Sequence, residues 1–406
     1  MNLDFMKEAV FNIEAIDIHT HLDVNHLSAS GLHDILLYHM VVSDLYSAGC
    51  PDGGRMSEEP DDNEIEERII RALPYIKYIQ NTACYWATRT ILKDLYDFDE
   101  PLTDKNWHVI HDKIKKSFSM AHGRDIMKKA NIIAANTELW RGRCGSCDDI
   151  ISYSLEWSFF TRAQWGRNDS ALLELEHAWN HDEPCPPLPV TSTAEQLNFR
   201  KKIRTLADAE EAMTHYISKI PFDKIVTIAS HISTDINYRP VTACEMEKAL
   251  KNRENATEAD RDVYANYIFE DFLNKFEATG IDMALQFSMA AEPLPFETGS
   301  IMRSETPFEL ARIMNAHPNI HFNFHIANAA VNQTFCTIAR EIPNLSLNGY
   351  WWHNFFPSFI KKILYERLDM VAMNKIVGHF TDAYCMEWAY VKSKIIRTFT
   401  AEVLAK

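Results

Sequence analysis

The last third of the chain repeats one pattern four times, a short β-type run followed by a helix-length amphipathic stretch. MALQFSMA (283–290) leads to PFELARIMNA, IHFNFHIA (320–327) to QTFCTIAREI, and LSLNGYWW (345–352) to FFPSFIKKILYERL. KIVGHFT (375–381) leads to a helix from about Met386 to the C-terminus. Parallel strands need long crossovers between them, so this alternation, with near-continuous apolar strands, predicts a parallel sheet covered by helices. Upstream, AIDIHTHL, NIIAANTE (131–138) and DKIVTIASHI (223–232) supply three more strands. One further strand hidden in a poorly patterned region completes a TIM-like (β/α)8 barrel.

A barrel accounts for 406 residues as a single domain, 1–406, provided it carries insertions. Residues 31–129 read as a mostly helical insertion after the first strand, with DKNWHVIHDKIKKSF clearly amphipathic. Residues 139–221 read as an irregular insertion containing the proline-rich HDEPCPPLPVTST. The 41 basic and 57 acidic residues leave a formal charge of -16, which repels nucleic acid and anionic membranes over long range; a small anionic substrate would need a locally basic pocket. Eight scattered cysteines and an N-terminus without a secretory leader predict reduced thiols and a cytoplasmic location. The CxxC pair Cys144 and Cys147 has no second half to complete a zinc site and reads as a surface loop.

The chemistry begins at DIHTHL. Side chains two apart on a strand share a face, so His19 and His21 present two imidazoles to one point. In a closed barrel the last strand adjoins the first and functional groups gather at the C-terminal strand ends. Asp382, immediately after KIVGHFT, therefore becomes a spatial neighbour of both histidines. Two neutral imidazoles and a carboxylate suit one divalent metal ion, zinc first and Mn2+ or Fe2+ as alternatives, with positions left for water or substrate. Read singly, the histidines are a strand-edge pair and Asp382 is a helix N-cap. Their convergence at matching strand ends favours function.

DIHTHL at the first strand, LLYHMVV after it, GYWWHN at strand seven and GHFTDAY at strand eight resemble the uronate isomerase family of the amidohydrolase superfamily. The resemblance spans most of the chain in the same order. It implies an amidohydrolase-type barrel and a metal-dependent aldose–ketose isomerase of hexuronates, of the glucuronate/fructuronate or galacturonate/tagaturonate type. It implies that His19, His21 and Asp382 hold one metal ion, with Asp382 also the proton-transfer base, and that the metal is zinc. Tyr38, in the family's tyrosine-histidine position, is expected to donate to the reacting oxygen, and Trp351 or Trp352 to stack on a sugar ring. The partner is a small sugar acid, and assembly into a homo-oligomer stays open.

The pattern also departs from the family. Tyr384 stands two residues after the aspartate, where the family usually has arginine, so a neutral donor replaces a fixed cation. Strand five offers Gln286 and Ser288, strand six carries His325, and His231 ends the run before them. His325, Trp351 and Tyr384 are taken as substrate-binding candidates. Arg89, Arg239 and Arg303 are candidates for a substrate carboxylate. Two other readings compete: hydrolysis of a sugar-acid lactone, ester or amide, with Asp382 taking a proton from the attacking water, and a non-catalytic sugar-binding relative.

Overall fold

In the computed structural model, eight strands pair in sequence order, every neighbour parallel, in one curled sheet. They are β1 (Ala15–Thr20), β2 (Ile132–Glu138), β3 (Ile151–Trp157), β4 (Thr227–His231), β5 (Ala284–Met289), β6 (His321–Ile326), β7 (Leu345–Asn348) and β8 (Ile376–Val377). The structure describes residues 2–51, 64–138, 150–157, 163–164, 167–181, 198–232, 237–289, 302–351 and 354–406. Helices occupy most connections, including seven among the described residues between β1 and β2, from His33–Leu36 to Met120–Lys129. The strand missing from the sequence pattern is β3, ISYSLEW, which lies inside residues 139–221. Cys144, Cys147 and Trp352 lie outside the described residues.

The strands are not continuously apolar. Leu285, Phe287 and Met289 on β5, Phe322, Phe324 and Ile326 on β6, and Leu345 and Leu347 on β7 pack outward in one core cluster with the helices. The alternate residues Gln286 and Ser288, Asn323 and His325, and Ser346 and Asn348 therefore face the enclosed side. Burying each large apolar side chain contributes roughly 1.5–3 kcal/mol, which pins the register, because a slip of one residue would exchange the two faces. The result is a polar interior aimed at one end of the sheet.

Between β8 and β1 the ladder is replaced by a mixed seam. Past Val377 the backbone runs beside β1: Asp382 N donates to His19 O at 2.9 Å, and His21 N to Ala383 O at 2.8 Å. The buried Asp17 carboxylate accepts from Thr381 N at 2.9 Å and Thr381 Oγ1 at 2.5 Å. The expected strand KIVGHFT is thus only two residues long. Asp382 takes a left-handed conformation, φ 55, which no strand continues through and which costs an ordinary L-residue energy.

Local signals account for the outer layer. The helices Leu206–Lys219, Ala243–Lys251 and Glu258–Ala278 each start on a threonine whose hydroxyl accepts from an acidic residue three positions on, which accepts in return. The final helix, Met386–Leu404, starts at the residue expected and buries Trp388, Lys392 and Arg397. The apolar run DILLYHMVV is not one helix: Tyr38 is extended, with ψ 140, between His33–Leu36 and His39–Ser47. No helix among the described residues is long and apolar enough to cross a membrane.

His379, packed beneath this seam with Nε2 3.1 Å from Ser393 Oγ, makes stability depend on pH. Burial and, secondarily, the charge of Arg397 push its pKa down to about 4. The unfolded chain takes up this proton near pH 6.5 and the folded chain only near 4, so the contribution is complete above 6.5 and lost as pH falls towards 4. Its size is on the order of 2 kcal/mol after allowing for the ring's partial exposure. Denaturant titrations between pH 7 and 4.5 are expected to show a shallower loss in His379→Gln than in the parent; parallel losses would contradict this.

Candidate active site

Four groups meet at the C-terminal end of the sheet. The register of β1 on β2 shifts between Asp17 and Thr20, an irregularity of the kind that re-aims side chains beside functional sites, and His19 and His21 follow it inward. Glu138, the last residue of β2, joins them: ligand atoms of His19, His21 and Glu138 all lie within 4.8 Å of one another. Asp382 faces the same point, its Oδ1 3.4 Å from His19 Nε2 and 3.0 Å from His21 Nε2. The His19 side chain is 3% exposed and that of Glu138 1%. Charged groups held this dry need a counter-charge.

The electrostatics show which charge is wanted. Burial alone would lower the His21 pKa, but Glu138, 2.6 Å from Nδ1, and the bond to Asp382 outweigh it and raise it to about 9. Burial would raise Asp382, and the hydrogen bonds from His19 and His21 overcome it and hold the carboxyl well below the usual range. Two carboxylates thus draw positive charge into the space between two imidazoles. A divalent ion fits the same place, and two nitrogen and two carboxylate oxygen donors are a set that zinc, manganese and iron(II) accept.

Asp382 is held from behind. Its carbonyl oxygen accepts from Tyr38 Oη at 3.0 Å and from Lys392 Nζ at 2.8 Å, and Lys392 also donates to Tyr38 Oη at 2.7 Å. With its N–H bound to β1, both ends of this left-handed residue are tied, and its carboxylate is aimed at the histidines. Burial pushes Lys392 down to about 8 against the pull of Asp382 and Asp17. Tyr38, expected to reach the reacting oxygen, is fully buried and stacks on Trp388.

The remaining candidates divide by position. Tyr384 stacks on His21, ring centroids 4.7 Å apart, and meets Tyr38 edge-on at 5.5 Å. Trp351 packs with Ala327 and Phe380, and its ring lies 5.3 Å from that of His231. His231 ends β4 with Nε2 3.8 Å from Glu156 Oε1 on β3; its side chain stays about one-third open, yet the protein packed round the rest of the ring lowers its pKa to about 4. His325 is fully enclosed, 3.2 Å from Asn348 Nδ2, 3.4 Å from Ser288 Oγ, and stacked on Phe380. Gln286 turns its amide to the Ile18 carbonyl oxygen, 3.3 Å away. The three arginines serve elsewhere: Arg89 bonds Asp99 and the Glu100 carbonyl, Arg239 pairs with Glu245 at 2.8 Å, and Arg303 lies 4.0 Å from Glu305 and Glu309.

Sequence reasoning missed Glu138, Glu156 and Lys392. Glu138 carried a usable signal, since it ends a recognised strand as Asp382 follows one.

Solved structures of uronate isomerases superpose on nearly the whole chain. The Thermotoga maritima uronate isomerase gives a TM-score of 0.73 at 13% identity, covering 99% of this chain and 90% of that one. The Caulobacter crescentus glucuronate isomerase gives 0.74 at 13%, covering 99% and 87%. The Bacillus halodurans uronate isomerase gives 0.70 at 15%, also covering 99% and 87%. The fold is that of the uronate isomerases. No protein-family model and no curated protein sequence matches the chain, so this fold is visible in three dimensions and not in overall sequence similarity.

Proposed function

We propose that this chain is a metal-dependent aldose–ketose isomerase acting on hexuronates, a relative of the uronate isomerases whose fold it shares. The observation that carries the reading is the convergence of His19, His21, Glu138 and Asp382 at one end of that fold. His19, His21, Asp382 and Glu138 would hold one divalent ion, of which zinc is the first candidate and manganese and iron(II) suit the same donor set. When bound, the ion supplies a Lewis acid that stabilises negative charge on adjacent sugar oxygens.

The chain's own residues do the rest. Asp382 takes the proton from C2 and returns it to C1, so the carbonyl moves by one carbon with no outside oxidant. Tyr38 and Lys392 keep its carboxylate aimed, and the buried walls of the site limit water near the intermediate. A second reading is favoured by Glu138: an extra carboxylate donor suits hydrolysis of a sugar-acid lactone, ester or amide, in which Asp382 accepts the proton of the attacking water. Product analysis separates the two. Zinc-loaded protein is expected to convert glucuronate or galacturonate to a ketose without change in mass; a product heavier by one water from a lactone, with no ketose from either acid, would favour hydrolysis.

Tyr384→Arg tests the departure at the rim of the site. A cation stacked over His21 offers a substrate carboxylate a charge-assisted bidentate contact that a phenol lacks. The expected result is a fall of roughly tenfold in KM for a hexuronate, the equivalent of about 1.4 kcal/mol. An unchanged KM would place anion recognition elsewhere.

A further inference from the structure

Besides the metal-type cluster, the enclosed end of the sheet presents a second acid–base pair from different strands. Glu156 is the penultimate residue of β3 and His231 the last of β4, so both lie at the C-terminal end of the sheet, the end that carries the site. Glu156 is 8% exposed and its Oε1 lies 3.8 Å from His231 Nε2. The Trp351 ring meets the imidazole edge-on, centroids 5.3 Å apart. Of His19, His21, His231 and His325, His231 has the open side chain, 34% exposed, against 3% for His19, 12% for His21 and none for His325. It is flanked by Glu156 and Trp351 and still about one-third exposed.

We propose that His231, braced by Glu156 and Trp351, is the second proton carrier of the site and moves the hydroxyl proton of the substrate while Asp382 moves the carbon-bound one. This role rests on the isomerase reading. An aldose–ketose exchange needs both transfers: the C2–H bond breaks and a C1–H bond forms, and the O2–H bond breaks and an O1–H bond forms. C1 is reduced by two electrons and C2 oxidised by two, so the reaction balances within the substrate. Asp382, aimed at the carbon, would have to serve two oxygens as well without a second carrier. The neutral imidazole takes the proton from O2 and delivers it to O1, and the Glu156 carboxylate beside it stabilises the imidazolium formed between the two steps. Glu156 is a positioning residue, since it acts through His231.

The test follows zinc-loaded protein with glucuronate in D2O by proton NMR, reading exchange of the C2 hydrogen and ketose formation separately. His231→Asn is expected to keep C2 exchange within about tenfold of the parent while ketose formation falls roughly 10²–10³-fold. His231→Ala is expected to regain at least about tenfold of its lost conversion with added imidazole, and Glu156→Gln to lose kcat with KM unchanged. Ketose formation at the parent rate in His231→Asn would overturn the proposal. So would exchange and conversion falling together in His231→Asn with no imidazole rescue of His231→Ala, the mark of a structural role. If the parent itself gives neither exchange nor ketose with zinc bound, the isomerase reading fails first.

Discussion

Asp382→Asn is expected to reduce turnover by about 10³–10⁴-fold or more while the protein stays folded. The substitution keeps volume and the backbone that Tyr38, Lys392 and His19 hold, so the seam between the last and first strands survives. It removes the charge that pairs with both imidazoles at 3.0 and 3.4 Å and leaves an amide that cannot accept a proton at neutral pH. Bound metal is expected to fall in parallel, measurable as zinc per chain after dialysis. The αL conformation makes asparagine a well-chosen replacement, since it tolerates φ near 55 as aspartate does. A variant with full activity would remove both roles at once. One with full zinc and no activity would leave the metal role to the other three donors and keep Asp382 as base.

Glu138→Gln is expected to weaken zinc binding by at least the roughly 10–100-fold typical of losing a single supporting partner at a metal site. Glu138 is nearly fully buried and 2.6 Å from His21 Nδ1, so its charge is part of what makes a cation welcome here. The amide keeps the shape and one acceptor oxygen, which limits the change to charge. Competition titration with a chelator reads the loss directly. Unchanged affinity would reduce Glu138 to a support for His21 and return the ligand set to His19, His21 and Asp382.

Much of the site was legible because its logic is topological. Residues two apart at the end of the first strand and one residue past the last become neighbours in any closed parallel sheet, whatever lies between. That argument reached His19, His21 and Asp382 across a gap of more than three hundred and fifty residues. The same rule points to Glu138 at the end of NIIAANTE, but a single carboxylate at a strand end is a weaker signal than two histidines two apart. Glu156 was hidden with its strand: ISYSLEW alternates apolar with polar residues as a strand does, but it lies inside residues 139–221, read as an irregular insertion, so no strand end was available to search.

Tertiary packing made the other misses. Lys392 sits mid-helix, where a lysine ordinarily marks the solvent face; only the stacking of the final helix under the strand ends buries it against Tyr38 and Asp382. DILLYHMVV reads as one apolar helix; the chain breaks at Tyr38 with no glycine or proline there, and at the break the Tyr38 hydroxyl donates to the distant Asp382 carbonyl. The strands read as continuous apolar runs because their polar alternates are small or neutral. Those alternates, Gln286, Ser288, His325 and Asn348 among them, form the floor of the site.

The measurement that bears most directly on the whole account is anomalous X-ray scattering at the zinc edge from crystals of the zinc-loaded protein. One strong peak is expected at the C-terminal end of the sheet, about 2.0–2.2 Å from a nitrogen of His19, a nitrogen of His21 and a carboxylate oxygen of Asp382 and of Glu138. A peak at another cluster, or zinc that stays bound in solution without touching these four side chains, would contradict it.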